Sequence, residues 1–307
     1  MIEILKNPNF DFVGKTRYFV FLSFAVIVGG FGFMLAKGVY IGHDAKGYGV
    51  EFSGGTQLIL RFERTPETDR LRAAVKDATI QVYDDPSKNQ VLVRIAAADD
   101  GNLDQAASAA MASIASHYPE NKILESSSEI VGPTVGADLR QKAIQLTVWG
   151  LVLQLAYITW RFGGAVWGAA ATLAVIHDVL VTLAFLAFFN YEITQNVIAA
   201  LLTLVGYSVY DTIVIFDRTR ENLKAKRKDS LAKVLNDSLN QTLTRTLISN
   251  GMTFLAVLGL FLFGGEVLRG FGFTMVVGIT VGTYSTMYIA TPFVIMWENR
   301  QAAKARS

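Results

Sequence analysis

The chain has 307 residues, of which 51% are hydrophobic and only 18% charged, with a net charge of +2 and no Cys. A soluble domain carries about 25% charge, so this balance excludes an ordinary soluble protein, and the apolar content excludes intrinsic disorder. Without Cys there is no disulfide framework, thiolate chemistry or Cys-ligated metal. His43, His117 and His177 are too scattered for a metal cage, and the near-neutral charge gives no nucleic-acid footprint. No cofactor, metal site or nucleic-acid partner is expected.

A bilayer core is crossed by about 20 apolar residues in a helix. Runs of that kind predict spans at 18–36, 143–160, 165–189, 197–216, 246–264 and 271–297. Trp149, Trp160, Trp167 and Trp297 fall mostly near span ends, where indoles favour the interface. The first span is followed by no small-residue cleavage pattern before Lys37 and reads as an anchor rather than a removed signal. The predicted organisation is a cytoplasmic arm (1–17), the first span, an outer domain (37–140), a five-helix bundle (141–297) with a cytoplasmic loop at 217–245, and a cytoplasmic tail (298–307).

Lys and Arg fix the expected orientation. They gather in the arm (Lys6, Lys15, Arg17), at Arg161, through the loop from Arg218 to Arg245, and in the tail (Arg300, Lys304, Arg306), whereas the opposite short loops offer Arg269. The positive-inside rule places both termini in the cytoplasm.

The segment 37–140 is too polar to enter lipid. Residues 57–62 have strand composition. Thr65-Pro66-Glu67 opens a helix with an apolar stripe at Leu71, Ala74, Val75 and Ala78. Residues 80–83 and 91–95 read as strands around a turn at 84–89. An Ala-rich helix at 103–117 and a closing strand at 123–131 complete β-α-β-β-α-β, the ferredoxin-like order. In the loop, residues 229–244 carry Leu231, Val234, Leu235, Leu239 and Leu243 at helical spacing, which predicts an amphipathic helix on the inner leaflet, or else a surface for a cytoplasmic partner.

Polar groups inside spans mark function, because a charge at a helix centre costs about 2.5–3.5 kcal/mol on insertion scales. Asp211 lies six residues before Asp217, about 9 Å inside the fourth span. His177 and Asp178 sit mid-way along the third, as either a local hydrogen-bonded pair or members of a proton relay. Arg245 opens the fifth span, followed by Thr246, Ser249, Asn250 and Thr253, a stripe that faces a bundle interior rather than lipid. Asp211 and Arg245 share a depth at which contact is feasible. A change in their separation would bind or release a proton, because a neighbouring Arg favours an ionised acid and burial disfavours it. No GxxxxGK[ST], HExxH, GxSxG or GxGD pattern is present, so an enzyme is not expected.

These residues fall into an ordered set of motifs: Gly49-Val50-Glu51-Phe52-Ser53-Gly54-Gly55-Thr56, Val131-Gly132-Pro133-Thr134-Val135-Gly136, His177-Asp178, Gly206-Tyr207-Ser208-Val209-Tyr210-Asp211 with Asp217-Arg218-Thr219-Arg220-Glu221-Asn222, Thr244-Arg245-Thr246-Leu247, and Phe263-Gly264-Gly265. In this order they resemble the SecF family, partner of SecD in the bacterial SecDF protein-translocation accessory complex and related to resistance–nodulation–division transporters. That family usually has Asn where this chain has Tyr210. The resemblance implies half of a resistance–nodulation–division-like bundle in the inner membrane and association with SecD and the SecYEG channel, with YajC and SecA-driven preproteins as further contacts. It also implies use of the proton gradient for preprotein export, with Asp211 and Arg245 as proton-coupling residues and His177 and Asp178 as a lesser relay. Two other readings are a proton-coupled efflux or solute transporter half and a purely structural assembly subunit.

Overall fold

The computed structural model describes residues 8–40, 47–75, 78–83, 86–96, 103–225 and 228–304. His43, Lys6, Lys226, Arg227, Arg306 and the turn residues Asp84 and Asp85 lie outside them.

Six helices are long and apolar enough to cross a membrane. The first, α1 (Phe12–Lys37), starts where the Asp11 side chain accepts from the Gly14 amide at 2.8 Å and stops at Gly38 in the left-handed conformation. A short helix α2 (Val50–Ser53) then leads into the outer domain.

That domain holds strands β1 (Gly55–Phe62), β2 (Ala78–Val82), β3 (Gln90–Ala96) and β4 (Ile123–Val131) with helices α3 (Thr68–Ala74) and α4 (Leu103–His117). The sheet is antiparallel in the order β2-β3-β1-β4, with Leu58 of β1 opposite Val93 and Ser128. Alternation along β1 sends Leu58, Leu60 and Phe62 to the covered face, where they meet Val91, Val93, Leu71 and Ile114 in one core. Gln57, Ile59, Leu92 and Arg94 point to the other face. The ferredoxin-like order expected from the sequence is the order found.

The remaining spans are α5 (Pro133–Phe162), α6 (Ala165–Phe188), α7 (Gln195–Ala225), α8 (Leu231–Phe263), and α9 (Gly265–Ser285) continuing through a π turn (Thr286–Ala290) into α10 (Thr291–Lys304). The motifs at 49–56 and 131–136 dock on each other where α5 begins. A Cβ on Gly54 would lie 2.7 Å from the Pro133 Cα, and one on Gly136 would lie 2.9 Å from the Gly54 nitrogen. Gly54 also has φ +75°, so glycine is required twice over. Position 140 thus falls inside α5, one turn and more past its start.

Two elements differ from the sequence expectation. Residues 229–244 do not form a separate helix on the leaflet: α8 runs unbroken for 33 residues, about 50 Å, well beyond a bilayer core. Its apolar stripe (Val234, Leu235, Leu239) is fully buried, packing on Phe12 and Phe216 in the main bundle core rather than on lipid. No Gly or Pro interrupts 231–250, so nothing stops the helix at the membrane surface. The sixth span, expected as one helix, contains the π turn just before Pro292. A proline lacks the N–H that the preceding turn would need, and the wider turn absorbs that loss; the Thr291 hydroxyl donates to the Thr286 carbonyl at 3.0 Å.

Candidate proton-relay site in the bundle

Asp211 sits on the inward face of α7 and is 3% exposed. Its carboxylate accepts from the Asn250 side-chain amide of α8 at 2.5 Å. The same amide nitrogen lies 2.8 Å from the Thr283 hydroxyl of α9, and the Tyr207 phenol, one turn before Asp211, donates to the Asn250 carbonyl oxygen at 2.9 Å. Asn250 therefore joins three helices at the acid. The polar stripe read in the sequence is what supplies it: Thr246 and Asn250, four residues apart, are both buried.

Arg245 does not pair with Asp211. Its guanidinium donates to the Tyr210 phenol at 3.0 Å, and both side chains lie on the open face of the α7–α8 pair. The expected contact is thus divided between adjacent residues of α7, with the acid turned inward and the Arg held outside by the neighbouring phenol.

His177 and Asp178 come together with groups the sequence did not single out. Asp178 is fully buried. It accepts from the Ser208 hydroxyl of α7 at 2.5 Å and the Ser285 hydroxyl of α9 at 3.0 Å, and its other oxygen lies 3.0 Å from the His177 Nδ1. The His177 Nε2 is buried without a partner. Its ring meets the edge of Tyr284, whose phenol is 3.2 Å from the Ser23 hydroxyl of α1. The π turn follows immediately, and Thr212 reaches its first residue, Thr286, at 3.1 Å; such turns are frequent at functional sites. Ser285 carries no sequence signal by itself; only its place one turn above Pro292 on a packed helix brings it to Asp178.

Ser208 and Asp211 are three residues apart, so one face of α7 serves both acids. A hydroxyl both donates and accepts, and an amide presents either end. Both acids can therefore be satisfied protonated or ionised by rotation of their neighbours, without moving a helix.

The description "Protein export membrane protein SecD/SecF, C-terminal" matches residues 111–300. The chain belongs to the SecD/SecF protein-export family. It is 38% identical over 303 residues to the protein translocase subunit SecF of Calditerrivibrio nitroreducens, covering 96% of each chain. It is 35% identical to the protein translocase subunit SecDF of Thermus thermophilus, covering 99% of this chain and 40% of that one. The crystal structure of that SecDF, a translocon-associated membrane protein, superposes with a TM-score of 0.79 at 35% identity over 95% of this chain and 39% of its own. A SecDF structure in a super-membrane-facing form gives 0.72. As a SecD/SecF family member this chain has the SecDF fold, a resistance–nodulation–division-like bundle of six membrane-capable helices with an inserted antiparallel sheet.

Proposed function

We propose that this chain is a protein-export accessory subunit that works with SecD and uses the proton gradient to promote preprotein movement through the SecYEG channel. The observation that carries the reading is the geometry at Asp211: a buried acid with one amide donor, and a guanidinium parked one residue away on a phenol. Moving the Arg245 side chain from Tyr210 to Asp211 would favour the ionised acid and expel its proton. Returning it would leave a buried acid that favours proton uptake. A cycle between the two converts proton passage into relative motion of α7 and α8, and of the outer domain they support.

Pairing with SecD is supported by the fused relative, of which this chain matches about two fifths. It is also supported by the open apolar sides of α1, α5 and α8, whose most apolar windows are 17%, 6% and 11% buried against 56% for α6. The distribution of Lys and Arg supports cytoplasmic termini and an outer domain on the periplasmic side of the inner membrane. The channel SecYEG, YajC and SecA-driven preproteins are partners by family resemblance.

Asp178 supports the structural reading more than Asp211 does, since three donors already satisfy it. The unpartnered His177 Nε2 is what keeps the pair in the relay. Import of a preprotein into inverted vesicles, with and without an imposed gradient, tests the assignment. Asp211→Asn and Arg245→Met are expected to assemble with SecD, keep ATP-driven movement and lose the gradient-stimulated part. If Asp211→Asn prevents assembly, the acid is a packing element and the coupling assignment fails.

A further inference from the structure

The open face of the outer sheet does not rest flat on the bundle. A crevice of about 660 Å3 separates it from the loop between α6 and α7 and the start of α9. One side of the crevice is hinged. Glu51 and Phe52 lie in α2, wedged against α5 at the Gly54–Pro133 contact, and the Gly49 amide donates to the Ile193 carbonyl at 3.0 Å while the Ile193 amide donates to Gly47 at 2.7 Å. Across the open side, Arg94 of β3 reaches Glu192 of the loop in an ion pair, its side chain oriented by the Gln57 amide oxygen at 3.1 Å. Both partners are largely shielded from water, with side chains 17% and 20% exposed.

The charges at this junction do not balance. Glu51, Glu129 and Glu192 line the crevice against Arg94 and Arg269, leaving one negative charge in excess. One oxygen of Glu51 is buried without a hydrogen-bond partner, and the Glu51 carboxylate acts repulsively on Glu192. We propose that Glu192, with Glu51 beside it, is a proton-operated latch: uptake of one proton by this carboxyl pair tightens the outer domain on the bundle, and its release lets the crevice open about the α2–α5 hinge.

The titration of Glu192 points the same way. Burial pushes its carboxyl above the ordinary range, Glu51 adds to the rise, and Arg94 opposes it. A carboxyl raised in the docked state binds its proton more tightly there than in the open state. Docking is therefore strongest below the free-carboxyl range and weakens as pH rises through the docked value. The other titratable groups around Glu192 are Tyr40, whose phenol is pushed up mainly by burial and donates to the Tyr191 carbonyl, and Tyr83 on β2. Neither phenol ionises in the range where Glu192 does.

The proposal that this face is the acidic one under a proton gradient rests on the orientation given above. The pH response does not, because buffer reaches both faces of a nanodisc. With no natural Cys, spin labels at Ser126→Cys on β4 and Leu268→Cys at the start of α9 report the distance across the junction in the full chain. A single short distance is expected near about pH 5, with a longer population growing toward about pH 8 and the docking equilibrium shifting about tenfold for each pH step by which docking raises the carboxyl. Glu192→Gln should stay docked throughout, and Glu51→Gln should shrink the response. An unmodified chain whose distance is constant over that range, or that opens on acidification, overturns the latch. So does Glu192→Gln that keeps the full response or stays open at every pH. The titration of the unmodified chain decides even if the variants fold poorly.

Discussion

Tyr210 and Asn250 hold the two halves of the proposed proton site apart, one on each side of α7. The bond from Arg245 to the Tyr210 phenol is worth about 1 kcal/mol. Tyr210→Phe should therefore change gradient-stimulated preprotein movement by no more than about fivefold, and Tyr210→Asn, the residue usual in the SecF motif, should leave it near the unmodified rate. A complete loss in Tyr210→Phe would mean that the phenol itself passes the proton. Asn250→Ala removes the donor to Asp211 and strands the Tyr207 phenol and Thr283 hydroxyl. Leaving such groups unpaired costs about 1–3 kcal/mol, read as a lower thermal midpoint of the detergent-solubilised chain. An unchanged midpoint would show that water already serves these groups. Asp211, Arg245, His177 and Asp178 were legible in the sequence because lipid penalises them. Asn250 was visible only as one member of a polar stripe. Ser285 and Tyr284 were not legible, because a hydroxyl in a span is unremarkable until another helix brings an acid to it.

The same division holds among the elements. The six spans and the β-α-β-β-α-β order follow from apolar run length and period, which are local properties. The stripe at 231–243 was equally visible, but periodicity shows that a helix has an apolar face and not what covers it. Here the cover is Phe12 and Phe216, tied in by the Asn240 amide oxygen on the Phe10 N–H at 2.8 Å and the Asn236 amide oxygen on the Phe12 N–H at 2.9 Å. Leu239→Ala, at a fully buried position, should lower stability by about 2–5 kcal/mol. A lipid-facing Leu would tolerate that change, so a small loss would return the stripe to the membrane surface. At the other end of the molecule, Gly136→Ala drives a methyl against the Gly54 backbone and should cost about 1–3 kcal/mol. Limited proteolysis would show it as faster cleavage between the outer domain and α5; unchanged cleavage would mean that the two motifs separate freely.

For the whole molecule, orientation and mechanism are separable questions. Single Cys at Ser126 and at Lys224, both exposed, can be labelled from either side of intact cells. An impermeant reagent should reach Ser126→Cys and not Lys224→Cys, and the reverse pattern would invert every assignment of inside and outside. The mechanism rests on Asp211 changing its protonation while the chain works. Infrared difference spectra of the chain assembled with SecD in vesicles, recorded as a proton gradient is imposed, read carboxyl protonation directly. The account predicts a carboxylic-acid carbonyl band that appears or disappears with the gradient in the unmodified chain and is absent from Asp211→Asn. The same band in both would contradict it, because the proton would then be carried elsewhere.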